Sequence, residues 1–272
     1  MNWQAYLWSS LSAARITGSL LLRRKRILFM GLLVLLPALL PVAVAFLRRP
    51  NSGAAWGLEL FGLIAEFGFL GTLAPLTAIL LGTALVGDDL ENGTAPYLLT
   101  RAVPRSALVV GKFAAYALVT SAAFLPAMAL TFLAVVLTAP AEVEIGAGLF
   151  LLGRTFVVVA LALLVYGALC CMLGTLTQRP VIYSVMFVFG WEPLTQLVPG
   201  YVDFLTLKKH LLALWPVLTT GGTGRGAEIT RKVIDVSVAE ASLILLGTVA
   251  VLAAVTTLTL RKKEFVRGAN LA

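Results

Sequence analysis

The chain has 272 residues, 60% hydrophobic and only 12% charged, where soluble domains run at roughly 45–50% and about 25%. That balance excludes an ordinary soluble domain and leaves an integral membrane protein, with room for about six spans of ~20–25 residues. The net charge of +8 does not point to nucleic acid, because the basic residues flank apolar runs instead of forming one patch.

In residues 1–26, Trp3, Tyr6, Leu7, Leu11 and Ala14 recur at helical spacing, with Ser9, Ser12 and Arg15 on the other side. The pattern predicts an amphipathic helix lying on the bilayer with its aromatics at headgroup level; an unstructured leader is the alternative. The basic run Arg23, Arg24, Lys25 and Arg26 follows this polar stretch, which is not the order of a cleavable signal peptide. Apolar runs then predict spans at 27–47, 58–86, 107–137 (kinked near Pro126), 149–176, 181–198 and 238–260. The predicted class is therefore all-α, one transmembrane domain with six spans. Its parts are an interfacial helix (1–26), spans 1 and 2 (27–86), a polar connection (87–106), spans 3 to 5 (107–198), an outer region (199–236), span 6 (237–260) and a tail (261–272).

Lysine and arginine set the orientation. With both termini in the cytoplasm, residues 1–26 carry five, 87–112 three, 177–180 one and 261–272 four, against two in 48–57, none in 138–148 and five in 199–236. The bias is inside-positive, although Lys208, Lys209, Arg225, Arg231 and Lys232 in the outer region oppose it. That region contains "FLTLKKHLLALWPVL", amphipathic enough for short helices dipping into the outer leaflet before the last span. The glycines of "TTGGTGRGAEIT" do not make a phosphate loop, since no Lys-Ser/Thr pair follows.

Catalysis finds no support. The single histidine, His210, has no cysteine or carboxylate at ligand spacing, and the adjacent Cys170 and Cys171 lie inside an apolar run. No resident cofactor or metal is expected, and the chain is not expected to be an enzyme. Ionisable residues inside spans are a different matter, because each costs a few kcal/mol at mid-bilayer unless paired or wet. Glu66 and Arg154 fall at similar depths, which predicts an interior ion pair; Glu192 lies late in the fifth span, and Glu59 is near the headgroups. These groups read either as a translocation path or gate (Glu66, Arg154, Glu192) or as an interhelical ion pair and an interfacial carboxylate without substrate contact.

The polar connection is the most punctuated part of the chain. After Val86 come Asp88, Asp89 and Glu91, a turn at Asn92-Gly93, and Thr94 as cap for a short amphipathic helix "APYLLTRAV", broken before Pro104. Ser106 caps the re-entry "RSALVVGK". A plain loop does not require this architecture, so a docking surface is predicted.

The run acid-rich turn, Glu-x-Gly-Thr, short apolar helix, "TRAVPRSALVVGK" and third span resembles the cytoplasmic signature of type 2 ABC transporter permeases. Glu91, Gly93, Thr94, Leu98, Leu99, Pro104, Arg105, Gly111 and Lys112 stand in matching places, with Pro104-Arg105-Ser106 departing slightly from the family's order. The leader, six spans and outer helices extend the resemblance over the whole chain. It implies an elbow helix at 1–26 and a coupling helix within 87–106 that docks on a separate ATPase. Asp88, Asp89, Glu91, Gly93, Thr94, Leu98, Pro104 and Arg105 would make that contact, with Gln178 and Arg179 in a second, smaller one. It further implies two ATPase copies holding ATP and Mg, a homodimer or heterodimer of permeases, export by alternating access, and an inner-membrane location. Two other readings remain open: an ATP-independent secondary transporter using Glu66 or Glu192, and a membrane scaffold for metal-centre maturation.

Overall fold

The structure, a computed structural model, describes residues 3–23, 25–47, 57–91, 105–138, 143–197, 206–215 and 237–262. Among these every regular element is helical and no strand occurs. The helices are α1 (Trp3–Arg23), α2 (25–47), α3 (57–91), α4 (Arg105–Thr138), α5 (Ile145–Leu176), α6 (180–197), α7 (Leu207–Ala213) and α8 (Val238–Lys262). Five are long and apolar enough to cross a membrane, at Phe29–Leu47, Gly57–Gly87, Ser106–Thr138, Ile145–Leu176 and Val238–Leu260. The fifth predicted span is helical too, but its apolar part, Pro180–Leu194, is shorter than the other five.

Local chemistry explains several boundaries. Within α2, Pro37 sits in a tighter 3₁₀ turn, Leu36–Ala38, because proline cannot donate to the helical ladder. Proline 126 is carried inside the unbroken α4. Helix α8 begins with a reciprocal capping box: the Ser237 amide donates to Glu240 Oε2 at 3.0 Å, and the Glu240 amide donates to Ser237 Oγ at 3.2 Å. Helix α3 runs on to Glu91, past its predicted end at 86, so Asp88, Asp89 and Glu91 occupy its last turns and not a loop. The predicted cap and short helix that follow, with Gly93, Thr94, Leu98 and Pro104, lie outside the described residues.

Helix α1 packs along α4. Tyr6, Ser9, Ser10, Ala13, Ala14, Thr17, Gly18 and Leu21 are its partly or fully buried positions, while Leu7, Trp8 and Leu11 lie exposed beside Ser12 and Arg15. The reason is close approach. A Cβ added at Gly111 of α4 would collide with the Ser10 carbonyl oxygen and reach the Ala13 methyl at 2.9 Å, so the small residues of α1 must face it. The large apolar side chains are left to the surroundings.

Helices α3 and α5 are the most enclosed, and α2 and α8 the least. A large core joins α3, α4 and α5, with edge-to-face rings at Phe61–Phe132 (5.5 Å) and Phe69–Phe124 (6.0 Å). A second cluster gathers Leu21, Leu81, Leu85, Val109, Tyr116 and Cys171 at the end where α3 leaves and α4 enters the bundle.

Candidate functional site

Two places in the fold concentrate polar chemistry. The first is built by α3, α5, α6 and α7. Three stretches of wider, i→i+5 helix occur in the described chain: Ile64–Leu73, Ala78–Gly82 and Met186–Trp191. In the first, the Ala74 amide donates to the Phe69 carbonyl and the Thr72 hydroxyl to the Phe67 carbonyl at 2.9 Å, both spanning five residues. Such widened turns are rare and frequent at functional sites. Glu66 lies inside the first stretch, and Glu192 follows directly on the third.

Glu192 is 2% exposed, and its Oε2 accepts a hydrogen bond from the Tyr166 hydroxyl of α5 at 2.8 Å. The backbone amides of Leu207 and Lys208, at the start of α7, also face its carboxylate. Helix α7 buries Leu207, His210 and Leu211, at i, i+3 and i+4, and leaves Lys208 and Lys209 half-exposed. The Lys208 ammonium lies within electrostatic range of both Glu192 and the half-buried Glu66. The start of one short helix thus meets Glu192, and its lysine lies within electrostatic range of Glu66 on another helix. Desolvating a carboxylate is costly, and amides, a hydroxyl and a cation are the groups that offset it.

The expected pairing of Glu66 with Arg154 does not form. Arg154 is exposed on the stripe of α5 that carries Phe150, Gly153 and Val157, and its guanidinium sits 5.8 Å from the Phe150 ring centroid. Equal depth placed the two residues on one level but said nothing about rotation about the helix axis. The buried face of α5, through Leu151, Thr155, Val158 and Ala162, turns Arg154 away from the interior. The cation within electrostatic range of Glu66 is Lys208 rather than Arg154, and Glu59 is exposed. Sequence reasoning missed Tyr166 and Lys208 as site residues. Lys208 carried one available signal, a cation on a short helix that follows the glutamate span; Tyr166, 26 residues before Glu192, carried none.

The second place is the end of the bundle bearing both predicted ATPase contacts. Asp88, Asp89 and Glu91 lie on the last turns of α3, and Arg105 begins α4. Gln178 and Arg179, exposed in the α5–α6 turn, are brought to the same end. A Cβ at Gly87 would touch the Gly174 carbonyl at 3.7 Å and the Pro180 ring at 4.0 Å. One at Gly174 would come within 2.6 Å of the Thr83 carbonyl. Lys112, only 8% exposed, donates from Nζ to the Leu85 carbonyl at 2.9 Å, linking α4 to α3. Among the described residues no group of three His, Cys, Asp or Glu side chains stands together for a metal ion.

Parts of this sequence are similar to known proteins. Residues 20–190, from the end of α1 into α6, match the family described as ABC-2 family transporter protein. A protein of Stutzerimonas stutzeri named probable ABC transporter permease protein NosY is 36% identical over 122 residues, 44% of each chain. The protein of the same name from Pseudomonas aeruginosa is 36% identical over 140 residues, 47% of this chain and 50% of that one. The chain spans about half the length of the curated relatives it matches. With the match covering more than half of a helical, membrane-crossing chain, this protein belongs to the ABC-2 family of transporter proteins.

Proposed function

We propose that this chain is the permease subunit of an ATP-driven exporter of the inner membrane, with six spans and both termini in the cytoplasm. Two copies, or one copy and a homologous partner, bind two ATPase chains that hold ATP and Mg. The observation that carries this reading is the family match, which runs unbroken from α1 through the acidic end of α3 and the 92–104 connection into α6. The connection is the coupling segment, with Asp88, Asp89, Glu91, Gly93, Thr94, Leu98, Pro104 and Arg105 as its contact residues and Gln178 and Arg179 as the lesser contact. Nucleotide favours one arrangement of the spans over the other, which is the thermodynamic condition for driving transport. Helix α1 serves as the elbow helix. The Glu66, Lys208, Glu192 and Tyr166 group lies on the gate, with α7 as the element that moves against the carboxylates.

Co-purification tests the coupling. Glu91→Lys and Gly93→Pro each insert normally in the membrane yet lose capture of the co-expressed ATPase. Undiminished capture by both variants refutes the assignment. The buried Glu192 favours one second reading, an ATP-independent carrier; transport that persists in vesicles lacking the ATPase selects it.

A further inference from the structure

We propose that Lys112 is a positioning residue: it locks the inner ends of α3 and α4 together, so that a push on the segment between them moves the bundle as one piece. The inference rests on the transporter reading and adds a residue that neither predicted ATPase contact includes.

Lys112 stands 27 residues after Leu85, across the whole polar connection, yet its ammonium donates to the Leu85 carbonyl at 2.9 Å. Leu85 lies in the last two turns of α3, so the bond clasps the part of that helix nearest the polar connection. The side chain is 8% exposed, and a buried ammonium is costly enough that an apolar residue would pack there more cheaply for stability alone. A cation kept at that cost has to do something that packing does not.

Its neighbours show what it holds. Gly111, one residue earlier, is the point where α1 presses on α4. The Lys112 charge also reaches Cys171 on α5, and α5 meets α3 through Gly174 and Thr83. The lock therefore sits where α1, α3, α4 and α5 converge, beside the α5–α6 turn with Gln178 and Arg179. Among the described residues, the other contacts that join α3 and α4 at this end include the apolar cluster of Leu85, Val109 and Tyr116, and apolar contacts carry no direction of their own.

The experiment uses the full chain with its ATPase in proteoliposomes. A cysteine introduced as Glu59→Cys reports on the far end of α3, 26 residues and about 39 Å from Leu85. The native Cys170 and Cys171 are buried and do not interfere. The readout is the rate of modification by a membrane-impermeant maleimide, without nucleotide and with ATP plus orthovanadate. With native Lys112, trapping changes that rate. Lys112→Met retains ATPase capture but loses the change, and Lys112→Arg, which keeps a cationic donor, restores it. Lys112→Gln, whose amide stops short of the carbonyl, gives the same loss and replaces the methionine variant should that one fold poorly. A nucleotide-dependent change that survives in Lys112→Met or Lys112→Gln overturns the proposal, as does a native chain that captures ATPase but shows no change at Glu59→Cys. A native chain that captures no ATPase refutes the transporter reading itself.

Discussion

Replacing Tyr166 with Phe removes one hydroxyl and leaves the ring in place, so its effect isolates the bond to Glu192. Both residues are 2% exposed and the oxygens are 2.8 Å apart, so water cannot readily substitute for the lost donor. Leaving a buried acceptor without its donor costs about 1–3 kcal/mol, and Tyr166→Phe should destabilise the fold by about 2 kcal/mol. That is roughly a 30-fold shift in the folded-to-unfolded ratio. In a Glu192→Leu background the same change removes a hydroxyl that has already lost its acceptor, and its cost falls to about zero. The double-mutant cycle should therefore show a coupling of about 2 kcal/mol, read by tryptophan fluorescence during unfolding in mixed detergent micelles. Two changes that add to within about 0.5 kcal/mol would refute the idea that Tyr166 holds the carboxylate.

Four further outcomes follow from the packing. Gly174→Ala puts a methyl 2.6 Å from the Thr83 carbonyl and should cost about 1–3 kcal/mol in the same unfolding assay. Gly153→Ala, on the same helix with nothing within 4 Å, should cost nothing by packing. Arg154→Met loses only the ring contact with Phe150, for about 0.5–1 kcal/mol, where a buried ion pair would have made removal far more damaging. Native Cys170 and Cys171 should resist maleimide in folded protein and react only on unfolding, which mass spectrometry after pulse labelling resolves.

Much of the fold was legible because a bilayer imposes a simple rule: a spanning helix has to be long and apolar, and sequence records both properties directly. The five long helices begin and end close to where the apolar runs do. The differences fall where sequence is ambiguous about ends. Acidic residues suggested that α3 stops at Val86, yet the helix continues to Glu91. The capping box that opens α8 was written plainly as Ser237 and Glu240, three residues apart, and would have fixed that boundary in advance.

The faces of the helices were less legible. In α1 the hydrophobic pattern picked out Leu7 and Leu11 for the bilayer, and both lie exposed, which left the face that meets α4 unread. Close contact between helices there selects small side chains, and the Ser10 and Ala13 side won. Arg154 was misplaced for another reason: depth along a span does not fix rotation about the helix axis, and its side chain is exposed beside Phe150.

What the sequence determined by itself was membrane residence, the order of the long helices, the resemblance that identified the family, and the presence of three costly ionisable groups inside spans. Each depends on composition or on neighbours along the chain. The tertiary structure decided what surrounds each polar group: Glu192 meets Tyr166 and the start of α7, Lys112 meets the Leu85 carbonyl, Arg154 meets a ring on its own helix, and Glu66 lies within electrostatic range of Lys208. Pairing depends on helix rotation and on widened turns such as Ile64–Leu73 and Met186–Trp191. Those are settled by packing among several helices at once, and no local pattern of residues encodes them.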